Sequence, residues 1–313
     1  MKRVFSTLGC MELSADQVIA AAIRNQMSGI EVRLDKEERP FGLEKEELPG
    51  LKQKLAKVSI ELTDLGTGIS VAEYNEKITE RAKGCIDTAV LAGAKAIRLF
   101  LGGAASNPSP GVSYNYEGIV KSLQEICDYG QLSGVEIWAE THSEFSTGKI
   151  LQKVAEDVGR ESFKVIWDVM HPIEFEESLE ETMAALDGIL AHVHIKDGCR
   201  KNAGSEKTAS GKVEYRLGRL GEGELPLLPF LKMLKEAGYT GGISLEWESA
   251  WHPHLKELYQ NLDDLLADYN AFLDQAEENL LPAITDSSWN TFTSAVGKAA
   301  VSYNRAEDGL FTL

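Results

Sequence analysis

A regular alternation of short apolar runs with longer amphipathic stretches constrains the fold most strongly. Eight of these runs are rich in β-branched and aromatic residues and have the length of strands. The predicted strands are Val4–Leu8, Gly29–Leu34, Val58–Asp64, Ala96–Phe100, Val135–Glu140, Phe163–Asp168, Leu190–Ile195 and Gly242–Trp247. Strands that alternate with helices build parallel sheets, and eight such units predict an α/β fold of the (β/α)8 TIM barrel type.

Helical spacing of apolar residues follows each predicted strand. Ser14 has the pattern of a helix N-cap, with Gln17 three residues later. Seven further helices are predicted. One ends at Lys57, one begins at Thr147, and the others span Ala72–Leu91, Tyr116–Leu132, Ser178–Leu186, Leu225–Ala237 and Leu255–Gln275. A long polar loop is predicted before Glu224. An open doubly wound sheet has the same alternation, but the first strand lacks the glycine-rich phosphate loop of that fold, since Gly9 stands alone.

The chain is predicted to form a single domain with a C-terminal extension. The barrel occupies residues 1–275 and the extension residues 276–313. The extension carries four aromatic residues, namely Trp289, Phe292, Tyr303 and Phe311. Two interpretations stay open, an arm that packs on its own barrel and a contact for an oligomer or partner.

Composition narrows the classes of function. The 49 acidic and 32 basic residues give a formal net charge of -17, which disfavours nucleic acid and anionic membranes as partners. We expect a neutral substrate, or an anionic one held locally by a metal and arginine. There is no apolar run of membrane-spanning length and no signal-peptide pattern. The four cysteines form no CxxC pair, which predicts reduced thiols and a cytoplasmic protein.

Four consecutive strands end at or near a possible metal ligand. These residues are Glu140, Asp168, His194 and Glu246. The C-terminal ends of barrel strands converge on one mouth, so the four side chains are expected to meet there. Three carboxylates and one imidazole suit a divalent ion such as Mn²⁺, Mg²⁺ or Co²⁺. His192 shares a strand face with His194, which lies nearer the mouth, so His194 is the predicted ligand and His192 is expected beneath it.

At these residues the sequence resembles the xylose-isomerase-like TIM-barrel superfamily, and within it the sugar phosphate isomerase/epimerase family. The resemblance covers residues 1–275 and rests on the motifs Glu140-Thr141-His142, Asp168-Val169-Met170-His171, His194-Ile195-Lys196-Asp197, Gly221-Glu222-Gly223 and Gly238-Tyr239-Thr240-Gly241-Gly242. It implies a divalent metal, commonly Mn²⁺, on the four predicted ligands. It also implies that Glu140 and Glu246 move protons, and that His171 and Arg200 contact substrate.

The function that this resemblance implies is a metal-dependent sugar isomerase or epimerase acting on a small sugar or keto-polyol. A proton next to a carbonyl is removed, and the metal stabilises the enediolate that results. Glu140 and Glu246 are the expected acid and base, and His142 is an alternative base. Lys196 has two interpretations, a substrate contact or, together with Asp197, a structural ion pair at the barrel rim.

Other functions remain open. The same site could serve a lyase, similar to inosose dehydratase or to the barrel subunit of a 3-keto C-glycoside deglycosidase. A homo-oligomer is expected, or a complex with a second small subunit. Endonucleases for abasic DNA share the superfamily fold but use several zinc ions and histidines on early strands, whereas the first histidine here is His142. A non-catalytic binding protein is the remaining alternative.

Overall fold

Eight parallel strands close into a barrel in the computed structural model, which describes residues 1–72, 74–103, 115–201, 207–208 and 211–280. The strands of this described part are β1 Lys2–Ser6, β2 Gly29–Arg33, β3 Glu61–Ser70, β4 Ala96–Phe100, β5 Glu136–Glu140, β6 Phe163–Asp168, β7 Leu190–Ile195, β8 Asp197–Arg200, β9 Tyr215–Gly218 and β10 Gly242–Leu245. The barrel order is β1-β10-β7-β6-β5-β4-β3-β2, and β1 pairs in parallel with both β2 and β10. The predicted TIM barrel is confirmed.

Helices connect successive barrel strands. They are α1 Ala15–Arg24, α2 Leu48–Lys57, α3 Glu76–Ala92, α4 Tyr116–Ser133, α5 Gly148–Val158, α6 Met170–Glu174, α7 Leu179–Ala185, α8 Leu227–Glu236 and α9 Leu262–Asn279. Ser14 starts α1 with the predicted capping box to Gln17, and Ser178 starts α7 with another. None of the helices in the described residues has the length and apolar character of a membrane span.

Large buried side chains fill the space between the helices and the strands. The ring of Trp167 on β6 packs edge-on against Phe230 of α8, with centroids 4.7 Å apart. Below the barrel mouth, the ring of Trp138 stacks on the imidazole of His192, with centroids 5.3 Å apart. His192 is fully buried beneath His194, as the alternation along the strand predicts.

The third strand lies further along the chain than predicted. The prediction placed it at Val58–Asp64, whereas β3 runs from Glu61 to Ser70. Val58 ends α2, and the positive φ of 56° at Ser59 turns the chain into the strand. The strand continues through Gly66, which pairs with Arg98 of β4 despite its weak strand preference.

The predicted polar loop before Glu224 contains the antiparallel hairpin of β8 and β9. Met1–Leu273 forms one unit that holds the barrel. The boundary at residue 275 and the role of the extension stay predictions, because residues 281–313, with Trp289, Phe292, Tyr303 and Phe311, lie outside the described part of the chain. The predicted oligomer or second subunit likewise stays a prediction.

Candidate metal centre

The four predicted ligands come together at the C-terminal mouth of the barrel. Glu140 ends β5, Asp168 ends β6, His194 lies near the end of β7, and Glu246 follows β10. One potential ligand atom from each residue lies within 4.8 Å of those of the other three, and all four residues are buried. The barrel geometry that the sequence predicts therefore brings these side chains into one group.

The donors of this group fit a divalent cation. Three carboxylates held so close in a buried site repel one another, and a cation between them offsets that repulsion. Asp168 Oδ1 accepts from the backbone N–H of Met170 at 2.9 Å, and Oδ2 lies 2.8 Å from Lys196 Nζ. Oxygen and nitrogen donors without sulfur suit Mn²⁺, Mg²⁺ or Co²⁺.

Glu31 on β2 orients the imidazole of His194. The Nε2–H of His194 donates to Glu31 Oε2 at 2.8 Å, so Nδ1 faces the group, 3.0 Å from Glu140 Oε1 and 3.6 Å from Glu246 Oε1. Ser244 Oγ also donates to Glu31 Oε2, at 3.1 Å. Burial acts to raise the pKa of Glu31, but the neighbouring histidines hold it well below its usual range. A carboxylate that fixes a ligating histidine in this way is common at metal sites.

A second set of possible ligand atoms overlaps the first. Glu31, His192 and His194 also bring one such atom each within 4.8 Å of the others, and all three residues are buried. His192 Nε2 lies 3.6 Å from Glu31 Oε2. Because this set is deeper and Glu31 already accepts from His194, the group of four at the mouth is the candidate metal centre.

Glu140 has a partner on each oxygen. Oε1 lies beside His194 Nδ1, and Oε2 accepts from Nη1 of the buried Arg98 at 2.5 Å. Arg98 comes from β4, and its guanidinium lies over the ring of Phe100, 4.3 Å from the centroid. Burial acts to raise the pKa of Glu140, whereas Arg98 and His194 hold it well below its usual range. Glu140 is therefore a fixed, ionised carboxylate.

Glu246 has different surroundings. Lys196 Nζ lies 2.5 Å from Glu246 Oε2 and 2.8 Å from Asp168 Oδ2, and it also contacts Glu248. Burial raises the pKa of Glu246 to about 7, against the lowering effect of Lys196. The two glutamates that the sequence treats as a pair thus differ in how readily they exchange a proton.

Lys196 forms ion pairs with Asp168, Glu246 and Glu248, while its contact with a substrate stays a prediction. Asp197, its neighbour in the chain, takes no part in these pairs. The Asp197 carboxylate instead accepts from four backbone N–H groups, those of Gly198, Gly221, Gly223 and Leu225 at 2.8 to 3.3 Å. The part of the prediction that made Asp197 an ion-pair member is therefore corrected. Asp197 holds the glycine-rich turn after β9 against the start of β8.

A cavity of about 550 Å³ lies over the candidate metal centre. Glu140, Glu246 and Lys196 line its floor, and the hairpin contributes Tyr215 and Leu217 to its wall. Of the tryptophans, Trp251 lines the cavity and is 55% exposed. This volume accommodates a small sugar or polyol.

His142 and His171 line this cavity together. His142 Nδ1 is 2.7 Å from Ser143 Oγ. Burial and, to a smaller extent, the nearby His171 lower the pKa of His142 to about 3. His171 Nδ1 lies 2.9 Å from Glu174 Oε2. Burial acts to lower the pKa of His171, but Asp168 and Glu174 raise it overall. His142 is thus a neutral ring and His171 a potential proton donor.

Arg200 lies apart from the other predicted site residues. Its side chain is exposed on β8, hydrogen-bonds to Tyr215 and does not line the cavity. The hairpin turns the chain after Asp197, so the spacing from His194 does not bring Arg200 to the mouth.

Solved structures of similar fold include sugar-converting enzymes. One is a D-psicose 3-epimerase with D-tagatose from Clostridium cellulolyticum H10 (15% identity, TM-score 0.70, covering 90% of this chain and 100% of that chain). Another is a probable 3-DHS dehydratase, AsbF, from Bacillus anthracis (16% identity, TM-score 0.67, covering 86% of this chain and 99% of that chain). A third is the IOLI protein with a binding zinc atom (18% identity, TM-score 0.70, covering 90% of this chain and 99% of that chain). At these identities the likeness shows the fold alone.

The family is shown by the sequence itself. Among curated proteins, no sequence matches this chain significantly. The model of the xylose isomerase-like TIM barrel, however, matches residues 19–268, which include seven of the eight barrel strands. The chain therefore belongs to the xylose isomerase-like TIM barrel family.

Proposed function

We propose that the protein is a divalent-metal-dependent sugar isomerase or epimerase that removes a proton next to a carbonyl. The observation that carries the proposal is the position of Glu246, which belongs to the group of four potential ligands and also lines the cavity. A carboxylate there can reach both the ion and a bound substrate. Solved structures of similar fold include an epimerase and a probable dehydratase, which supports this class of chemistry.

Glu140, Asp168, His194 and Glu246 would hold the ion, for which we propose Mn²⁺, with Mg²⁺ or Co²⁺ as alternatives. When bound, such an ion acts as a Lewis acid that stabilises negative charge on substrate oxygens. The remaining chemistry belongs to the side chains of the cavity.

Glu246 is the proposed proton carrier. A general base must reach the proton that it removes, and Glu246 lines the cavity where a substrate would bind. Glu140 is held as an ionised carboxylate by Arg98 and His194, so we assign it to binding the ion. In this proposal one glutamate moves the proton, whereas the family resemblance implies that Glu140 and Glu246 act as a pair; that role of Glu140 stays a prediction. His171, supported by Glu174, is placed to donate a proton to a substrate oxygen.

A lyase with the same site is the second candidate, and the Arg98–Glu140 contact favours it. Epimerisation moves a proton between opposite faces of a carbon, which requires a carrier on each face. Aldose–ketose isomerisation and elimination of a β-substituent each need one base on one face. In an elimination, His171 would protonate the departing oxygen.

Proton exchange in D₂O, followed by NMR, tests the proposal and separates the candidates. Protein with Mg²⁺ is incubated with a panel of ketoses, aldoses and inososes. We expect loss of the signal of the proton next to the carbonyl, and the product identifies isomerisation, epimerisation or loss of water.

The same assay on Glu246→Gln should be at least about 100-fold slower, the usual contribution of a positioned acid or base. The matched control is Glu257→Gln at an exposed position, which should exchange at the wild-type rate. Exchange by Glu246→Gln at the wild-type rate would show that Glu246 does not carry the proton.

A further inference from the structure

Among the described residues that line the cavity, one cationic side chain is not paired with a carboxylate. Five cationic side chains line it, namely Arg33, Arg98, Lys196, Lys201 and Lys212. Four of them have ion-pair partners at 2.5 to 3.6 Å. Arg33 has none within the described part of the chain. A guanidinium that lines a substrate cavity without a direct carboxylate partner is a candidate for binding an anion.

Backbone contacts hold the Arg33 guanidinium in place. Its Nη1 donates to the carbonyl oxygens of Gly66 (3.3 Å) and Thr67. Nε and Nη2 have no hydrogen-bond partner among the described residues. Burial and the neighbouring Arg98 lower the pKa of Arg33 to about 10, so it stays a cation at neutral pH. A fixed guanidinium with two unused donors matches the two oxygens of a carboxylate.

Two glycines of β3 make room for the neighbouring guanidinium groups. A Cβ atom at Gly68 would lie 3.3 Å from Arg33 Nη2, and one at Gly66 would lie 3.3 Å from Arg98 Nη2. Such contacts are tighter than ordinary packing, so a larger residue at either position would press on an arginine. Arg98 is paired with Glu140, whereas Arg33 forms no direct ion pair within the described residues, although the carboxylates of Glu31, Glu140 and Glu246 lie near enough to raise its pKa.

We propose that Arg33 binds a carboxylate of the substrate, so the enzyme acts on a sugar acid or hydroxy-keto acid rather than a neutral sugar. This inference rests on the proposed function and names the substrate class of the same site. A single unpaired guanidinium suits the single charge of a carboxylate better than a phosphate dianion, since the other cations of the cavity already have partners. With a net charge of -17, the protein attracts no anion at long range, so this contact must supply the selectivity.

Affinity, rather than the rate of turnover, tests the inference. Glucuronate, galacturonate and mannuronate are each compared with the matching hexose and hexose 6-phosphate by calorimetric titration in Mg²⁺ buffer. We expect at least one uronate to bind about 10- to 100-fold more tightly than its hexose, as a charged hydrogen-bonded pair provides. If no uronate is preferred in any set, the proposal is wrong, and preference for the 6-phosphate instead would overturn the choice of carboxylate.

Variants separate binding by Arg33 from a structural role. Arg33→Gln should lose the preference for the acid while its affinity for the hexose stays unchanged, whereas equal weakening of both ligands would contradict the proposal. The control Arg81→Gln removes an exposed arginine that pairs with Glu38 and should keep the preference. Gly68→Ala keeps the charge but crowds Arg33, and we expect a smaller loss of preference; an unchanged preference in both cavity variants would refute the role of Arg33.

The two proposals fail in different ways. A preference for uronates without proton exchange on any compound would leave the anion site standing and would end the proposed function. Proton exchange on neutral sugars, with no preference for acids, would end the anion site alone.

Discussion

Replacing Glu31 by glutamine should weaken metal binding, although Glu31 is not itself among the four proposed ligands. Glu31 accepts from His194 Nε2 at 2.8 Å and from Ser244 Oγ at 3.1 Å in the barrel interior. Glutamine has nearly the same shape and can still accept the hydrogen bond, but it lacks the charge that strengthens the bond and raises the basicity of Nδ1.

The expected effect is a loss of about 10- to 100-fold in metal affinity, the usual result of changing a partner of a ligating histidine. This corresponds to about 1.4 to 2.8 kcal/mol. We expect the loss to fall near the upper end, because Glu31 is only 2% exposed and water cannot replace the missing charge.

Calorimetric titration of Mn²⁺ into protein freed of metal with a chelator measures this affinity. The control is Glu61→Gln, at the start of the adjacent strand β3, where Glu61 forms an exposed ion pair with Lys2. An affinity of Glu31→Gln equal to wild type, or an equal loss in the control, would refute the role given to Glu31.

Further changes test other parts of the structure. Asp197→Ala leaves four backbone N–H groups without their acceptor and should lower the free energy of unfolding by about 2 to 4 kcal/mol in urea titrations; a change within error would contradict the anchoring role. Ser14→Ala removes the capping box of α1 and should cost about 1 kcal/mol in the same assay. In native protein only Cys199 should react with a thiol reagent, because burial raises the pKa of the other three thiols to about 12. Labelling of Cys199→Ser at the wild-type level would disprove this.

The strands of the barrel could be predicted because parallel strands covered on both faces are continuous apolar runs. Ala96–Phe100, Phe163–Asp168 and Leu190–Ile195 have the predicted bounds. The predicted bounds of the third strand were wrong because Gly66 and Gly68 are residues typical of loops. In the structure these glycines lie within β3 and leave space for the side chains of Arg98 and Arg33. The five-residue helix α6, which contains Pro172, was too short to leave a periodic signal.

The grouping of the four candidate ligands followed from their positions at strand ends, which a barrel brings together. Glu31 and Arg98 were missed because a charge within a strand resembles the solvent-facing half of an alternating pattern. A signal was present nonetheless, since a charged residue in the middle of a barrel strand is buried and requires a partner. Each has one, His194 for Glu31 and Glu140 for Arg98.

The hairpin after β7 explains why the position of Arg200 could not be inferred. The spacing between two residues predicts where their side chains lie only if the secondary structure between them is known. Here β8, which ends at Arg200, pairs with β9, which starts 15 residues later at Tyr215. The polar segment between them has no hydrophobic pattern that would indicate this pairing. The cavity lining that the hairpin provides therefore became visible only in three dimensions.

Elemental analysis of protein purified without chelator tests the central claim most directly. Asp168→Ala removes a proposed ligand, and Asp187→Ala, at an exposed position, serves as its matched control. We expect close to one divalent ion per chain in wild type and in Asp187→Ala, and a large loss of metal in Asp168→Ala. Wild-type protein without a divalent ion, or an unchanged metal content in Asp168→Ala, would contradict the assignment of the metal centre.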